Sequence, residues 1–225
     1  FEDLAKDLPA LLREPVLLPA IADESLVAGI ETMQRDVLQA QGALQQALDN
    51  KTKPIGSLGR IEALALQIGM ILGTDSPQLQ EPQLVVFAAD HGLASRGVSA
   101  FPSDVTWQMV ENFLAGGAAV SVLAKKQGLA LTIVDCGVKH DFQPRDGLLI
   151  RKIGRGTADS LEAAAMSSHE CEKALANGAE IVSNLPGNVI LLGEMGIGNT
   201  SAASLILSRL SGVDIAECTG AGTGL

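Results

Sequence analysis

The chain has no tyrosine, one tryptophan and five phenylalanines, so aromatics make up 3% of its 225 residues. Stacking platforms for single-stranded nucleic acid are therefore not expected. A basic cluster is also missing. Lys+Arg number 16 against 26 Asp+Glu, a formal net charge of −10, which argues against long nucleic acids and anionic membranes as partners. Cysteine is scarce: Cys136, Cys171 and Cys218 match no zinc spacing, and an odd, scattered set is a poor disulfide framework. No metal is expected, and a reducing cytoplasm suits the thiols best. No apolar run approaches the ~20 residues a membrane span needs, and Phe1-Glu2-Asp3 gives no basic start to a secretory signal. What is present is a hydrophobic content of 47%, enough for a sizeable core in one large domain, or one domain with a small appendage.

Residues 1–22 are interrupted by Pro9, Pro15 and Pro19 and support no assignment. From Asp23, Leu26, Ile30, Met33, Val37, Leu44 and Leu48 recur at helical spacing and predict one long amphipathic helix ending near Asn50. The turn Lys53-Pro54-Ile55-Gly56-Ser57-Leu58-Gly59-Arg60, with Ser57 as a possible cap, leads to a second helix expected to bury Leu58, Ile61, Ala65 and Ile68. Residues 1–75 are read as the N-terminal helical part of a small domain, and 76–225 as an α/β nucleotide-binding domain.

The periodicity then changes. Leu84-Val85-Val86-Phe87-Ala88-Ala89 is a continuous apolar run, as in a strand buried on both faces. A helix of about 20 residues is expected from Asp104, followed by a strand over Leu129–Val134 and a shorter one over Leu148–Arg151. A helix from about Ser160 to Ser183 precedes the apolar run Val189-Ile190-Leu191-Leu192. Strand and helix in alternation imply a three-layer, Rossmann-like parallel sheet with helices on both faces. Such sheets bind ligands beyond the carboxyl ends of their strands, where Asp90, His91, Asp135 and Glu194 all fall. Asp135 reads as a turn cap. His91 reads as a hydrogen-bonded loop histidine, since His140 and His169 offer no matching ligand spacing.

The stretch Gly193-Glu194-Met195-Gly196-Ile197-Gly198-Asn199-Thr200 carries most of the chemistry. A glycine turn opening a helix gathers unpaired N–H groups and the positive helix end, which suits a phosphate. The Walker A spacing is there, but Asn199 stands where the lysine should be, so ATP hydrolysis is a poor reading. The glycines do not form a dinucleotide fingerprint either. A second possibility is that they only let helix and strand pack closely. Glu194 is harder to explain structurally, because an acid beside an anion cradle costs on the order of a kcal/mol or more at short range.

Taken together, these segments resemble the nicotinate-nucleotide–dimethylbenzimidazole phosphoribosyltransferase family. The resemblance lies in Lys53-Pro54-x-Gly56-Ser57-Leu58-Gly59-Arg60, Ala89-Asp90-His91-Gly92, Gly97-Val98-Ser99, Pro102-x-x-Val105-Thr106-x-Gln108-Met109-Val110-x-Asn112-Phe113 and Gly116-Gly117-Ala118-Ala119. It continues in Ala165-Met166-Ser167, the Gly193–Thr200 stretch and the terminal Gly220-Ala221-Gly222-Thr223-Gly224. The resemblance implies transfer of ribose 5-phosphate from nicotinate mononucleotide to 5,6-dimethylbenzimidazole, giving α-ribazole 5-phosphate and nicotinate in cobalamin nucleotide-loop assembly. No cofactor is implied. Glu194 matches a family glutamate near the reacting centre. Phosphate and ribose contacts are implied for Gly193, Met195, Gly196, Gly198, Asn199, Thr200, Gly220 and Gly222. Benzimidazole contacts are implied for Asp90, His91, Phe101, Pro102, Gln108 and Met109. The family expectation is a homodimer. Family chains continue further, and their general-base glutamate is expected beyond Leu225, so the α/β domain is read as incomplete at its C-terminus. The rival readings are a truncated, non-catalytic nucleotide-binding module and a related transferase accepting another base.

Overall fold

A computed structural model describes residues 24–222. Residues 1–22, and Thr223 and Gly224 of the terminal glycine cluster, lie outside the described residues. The chain divides between Leu79 and Gln80 into two compact units. The first holds α1 (Glu24–Asp49) and α2 (Arg60–Leu72), which meet where Leu44 is buried against Gly69. The expected long helix is present; the side chains of Leu26 and Ile30 are not among those described. The second helix starts at Arg60, with Gly59 rather than Ser57 at its cap. Leu58 and Ile61, expected to be buried, are exposed, while Ala65 and Ile68 are half-buried.

The second unit contains β1 (Gln83–Ala89), a short 3-10 turn (Gly92–Arg96), α3 (Val105–Leu114), α4 (Ala119–Gln127), β2 (Ala130–Gly137) and β3 (Leu148–Ile150). It continues with α5 (Ser168–Ser183), β4 (Ile190–Met195), α6 (Asn199–Ser211) and α7 (Ile215–Cys218). The four strands form one parallel sheet in the order β3-β2-β1-β4. Side chains alternate along each strand, and the alternation builds two cores. Val86 and Ala88 pack with Ile133 and Val138 against Val110 and Phe113 of α3 on one face. Val85 and Val134 pack with Phe87, Cys136 and Leu149 against Ile181 of α5 on the other. The expected three-layer α/β arrangement is what these residues form. β4 is an edge strand in this sheet, and its Leu192 is exposed.

Two helices differ from the sequence pattern. The helix expected from Asp104 breaks into α3 and α4, because Gly116 takes φ 80° and a Cβ on Gly117 would collide with the Asn112 side chain. Ser121 stitches the break by donating from Oγ to the Phe113 carbonyl at 2.8 Å. The helix expected from Ser160 begins at Ser168 instead. Ser167 caps it: its Oγ accepts the Glu170 N–H, and the Glu170 carboxylate takes the Ser167 N–H at 2.7 Å. That reciprocal pair satisfies donors a helix start would leave unpaired, and it releases residues 159–167 to form a loop. Asp135 is a turn cap as expected, its Oδ1 accepting the N–H groups of Gly137 and Val138.

Replacing the cap, Ser167→Ala, is expected to cost about 1 kcal/mol, seen as a lower thermal midpoint by circular dichroism. An unchanged midpoint would show that the cap does not set the start of α5.

Candidate functional site at the strand ends

β4 joins the sheet by pairing Leu191 to Met195 with Leu84 to Ala88 of β1 in parallel. The glycine turn that follows β4 therefore lies beside the segment that follows β1. The contact is close. A Cβ on Gly196 would overlap the Ala89 carbonyl oxygen and press on the His91 ring. Gly198 has φ 89° and caps α6 in the left-handed region, with Ala94 3.5 Å from where its Cβ would stand. Both positions require glycine for steric reasons, so the packing role considered for these residues is real. Gly193 and Met195 lie within β4 itself, opposite Val86 and Ala88, and Met195 packs on the core.

Glu194 is the penultimate residue of β4, opposite Phe87. Its carboxylate accepts a hydrogen bond from the Asn199 side-chain amide. The same Asn199 accepts the Thr200 N–H on its Oδ1 at 2.7 Å. The residue that replaces a Walker lysine thus holds the acid with its amide N–H and the Thr200 N–H with its amide oxygen. The Ile197 N–H goes to Thr106 Oγ1 at 3.1 Å, and the Asn199 N–H to the Gly196 carbonyl at 3.0 Å.

One residue of the second glycine cluster, Gly222, lies near the same helix start. Ser204 of α6 donates to the Cys218 carbonyl at 2.9 Å, and a Cβ on Gly222 would stand 3.9 Å from Thr200 Oγ1. Gly222 itself has φ 55°. Of the residues implied for phosphate and ribose, Gly196, Gly198, Asn199, Thr200 and Gly222 meet here. Gly220 has open space around its Cα.

The residues implied for the benzimidazole are spread more widely. Asp90 is buried and already occupied: Oδ1 accepts from Ser103 Oγ at 2.7 Å and Oδ2 from the Lys139 N–H at 2.8 Å. Phe101, Pro102 and Gln108 are exposed on the segment leading into and along α3, whereas Met109 packs on the same core as Met195. His91 lines a cavity of about 420 Å³ with Phe87, Cys136, Arg151, Met166 and Asn177. Sequence reasoning gave no site role to Thr106 or Ser103. Both sit in the motif Pro102-x-x-Val105-Thr106, but their hydroxyls could have pointed to water, and only the fold shows that they do not.

Burial lowers the His91 pKa below the usual histidine value, against the pull of Asp90 and Glu194. The Cys136 thiol is pushed up to about 11 by burial, with Asp135 adding to the shift, so it is not a nucleophile near neutral pH. Because folded His91 binds its proton less readily than in the unfolded chain, its contribution to stability is complete above the ordinary histidine pKa and falls as pH drops toward the folded value. Lowering the pH from about 7.5 to about 5.5 should therefore reduce the thermal midpoint more in the native protein than in His91→Gln. Equal losses in the two would show that His91 is not held neutral by its surroundings.

A phosphoribosyltransferase family model matches residues 30–225. The nicotinate-nucleotide–dimethylbenzimidazole phosphoribosyltransferase of Variovorax paradoxus (strain S110) is 68% identical over 182 residues, covering 81% of this chain and 52% of the relative. The protein of that name from Dechloromonas aromatica (strain RCB) is 55% identical over 186 residues, covering 81% and 53%. The crystal structure of CobT from Thermus thermophilus superposes with a TM-score of 0.78 at 37% identity, covering 83% of this chain and 57% of that one. The chain spans about half the length of the curated relatives it matches. With the sheet, the strand-end glycine turn and these matches in agreement, the chain belongs to the phosphoribosyltransferase family whose model it matches.

Proposed function

We propose that this chain takes part in moving the ribose 5-phosphate of nicotinate mononucleotide onto 5,6-dimethylbenzimidazole, giving α-ribazole 5-phosphate and nicotinate. One observation carries the reading: Gly196, Gly198 and Gly222 lie about the start of α6, and Glu194 is held there by Asn199. In this reading the 5′-phosphate sits at the helix start, where backbone N–H groups and the helix dipole favour an anion. The Thr200 N–H bonds to its neighbour's side chain, a local contact that a phosphate oxygen can replace. Gly196, Gly198, Asn199, Thr200 and Gly222 form the cradle, with Gly193, Met195 and Gly220 flanking it.

A benzimidazole ring nitrogen attacks C1′, and the C1′–nicotinate bond breaks with its electron pair staying on the nicotinate nitrogen. The nicotinate enters as a pyridinium, so its ring nitrogen leaves neutral and needs no general acid. The benzimidazole N–H proton must go to a base. Glu194, aimed by Asn199, lies where negative charge stabilises the positive character that develops at C1′. Orientation of the two rings supplies much of the remaining rate. Phe101, Pro102, Gln108, Met109 and His91 are the proposed benzimidazole contacts, with Asp90 fixing the loop through Ser103 and Lys139. The residues 76–225 are then the nucleotide-binding part, and 1–75 part of a smaller helical domain. A homodimer in the cytoplasm completes the reading, which the free Cys136, Cys171 and Cys218 suit.

Mixing the protein with nicotinate mononucleotide and dimethylbenzimidazole should release nicotinate, measured by chromatography. Nucleotide binding without release would favour a non-catalytic module, and better turnover with a purine would reassign the base. Glu194→Gln is expected to lower kcat about a hundredfold while the Kd for nicotinate mononucleotide changes only a few-fold. An unchanged kcat would remove Glu194 from the chemistry.

A further inference from the structure

Thr106 is fully buried in the first turn of α3, far from Ile197 in sequence, yet its Oγ1 accepts the Ile197 N–H at 3.1 Å. Ile197 is itself buried, so this N–H cannot turn to water. A buried N–H without a partner costs as much as a lost hydrogen bond and more. Three residues before Thr106, Ser103 donates to the buried Asp90 at the end of β1. The start of α3 is thus fastened at two points, to the strand end at Asp90 and to the glycine turn at Ile197. The other turn N–H groups with identified partners bond to the turn itself: Asn199 to Gly196, and Thr200 to Asn199. Of these, the Ile197 bond is the one that ties the turn to another helix.

We propose that Thr106 is a positioning residue for phosphoribosyl transfer. By holding the Ile197 N–H, its hydroxyl sets the path of the Gly196–Thr200 turn and fixes that turn relative to the helix bearing Gln108 and Met109. The proposal rests on the transfer reading above. It assigns Thr106 to the nucleotide side of the site: without its hydroxyl, the turn rotates to satisfy Ile197 elsewhere and the phosphate cradle is lost, while the exposed face of α3 is unchanged. Valine has the same branched shape but no acceptor. Serine keeps the acceptor and loses only a methyl.

The test compares Thr106→Val and Thr106→Ser with the native protein, reading KM for each substrate and the calorimetric Kd of nicotinate mononucleotide. Thr106→Val should raise both nucleotide constants about tenfold, leave the dimethylbenzimidazole KM within about twofold, and Thr106→Ser should restore the nucleotide constants. A merely structural role would lower kcat through a smaller folded fraction at unchanged KM and Kd, and that result overturns the proposal. So does a serine variant that behaves like valine. If Thr106→Val does not fold, Thr106→Cys, with a weaker acceptor, takes its place with the same expected direction. A native protein that binds the nucleotide without turnover would sink the transfer reading but leave Kd to decide the role of Thr106. One that binds no nucleotide overturns both.

Discussion

The site depends on the parallel ladder between β1 and β4. Those strands are far apart in sequence, and their register sets Phe87 against Glu194 and Ala88 against Met195. With that register, the segment leaving β1 and the turn leaving β4 emerge side by side, and Gly196 meets Ala89 and His91. A shift of one residue would send Met195 out of the core and Glu194 into it. The packing of Met195 on the core therefore helps to hold the neighbouring acid on the other face of β4.

The glycine turn does two jobs at once. Gly196 and Gly198 are needed for packing and for backbone conformation, whether or not a ligand binds. The functional signal lies in what the packing leaves arranged. Asn199 divides its side chain between a carboxylate and the Thr200 N–H, Thr200 lies beside Gly222, and the turn is fastened to α3 from outside. The Glu194 carboxylate is held by the Asn199 side-chain amide at the first residue of α6, so it meets the proposed site with a neutral donor already on it.

Much of this was legible in the residues, for identifiable reasons. The apolar run at Leu84–Ala89 has the mark of a strand buried on both faces, and strand–helix alternation then implies a parallel sheet whose carboxyl ends are where a site is expected. Helix boundaries were less legible. Val105, Met109, Phe113 and Val120 keep one stripe across Gly116-Gly117, so periodicity alone runs α3 into α4. At α5, small residues around Ala163–Ala165 are compatible with helix, and only the Ser167–Glu170 capping pair marks the true start. In the site, charged residues at strand ends were visible in advance. Thr106 and Ser103 were not, because a hydroxyl at or just before a helix start reads the same whether it meets solvent or a buried partner.

The central claim is that the backbone at the start of α6 recognises a ribose phosphate. The most direct measurement compares, by calorimetry, binding of nicotinate mononucleotide with that of nicotinate riboside, which lacks only the phosphate. The account predicts that removing the phosphate weakens binding about a hundredfold or more. Equal affinities would contradict it.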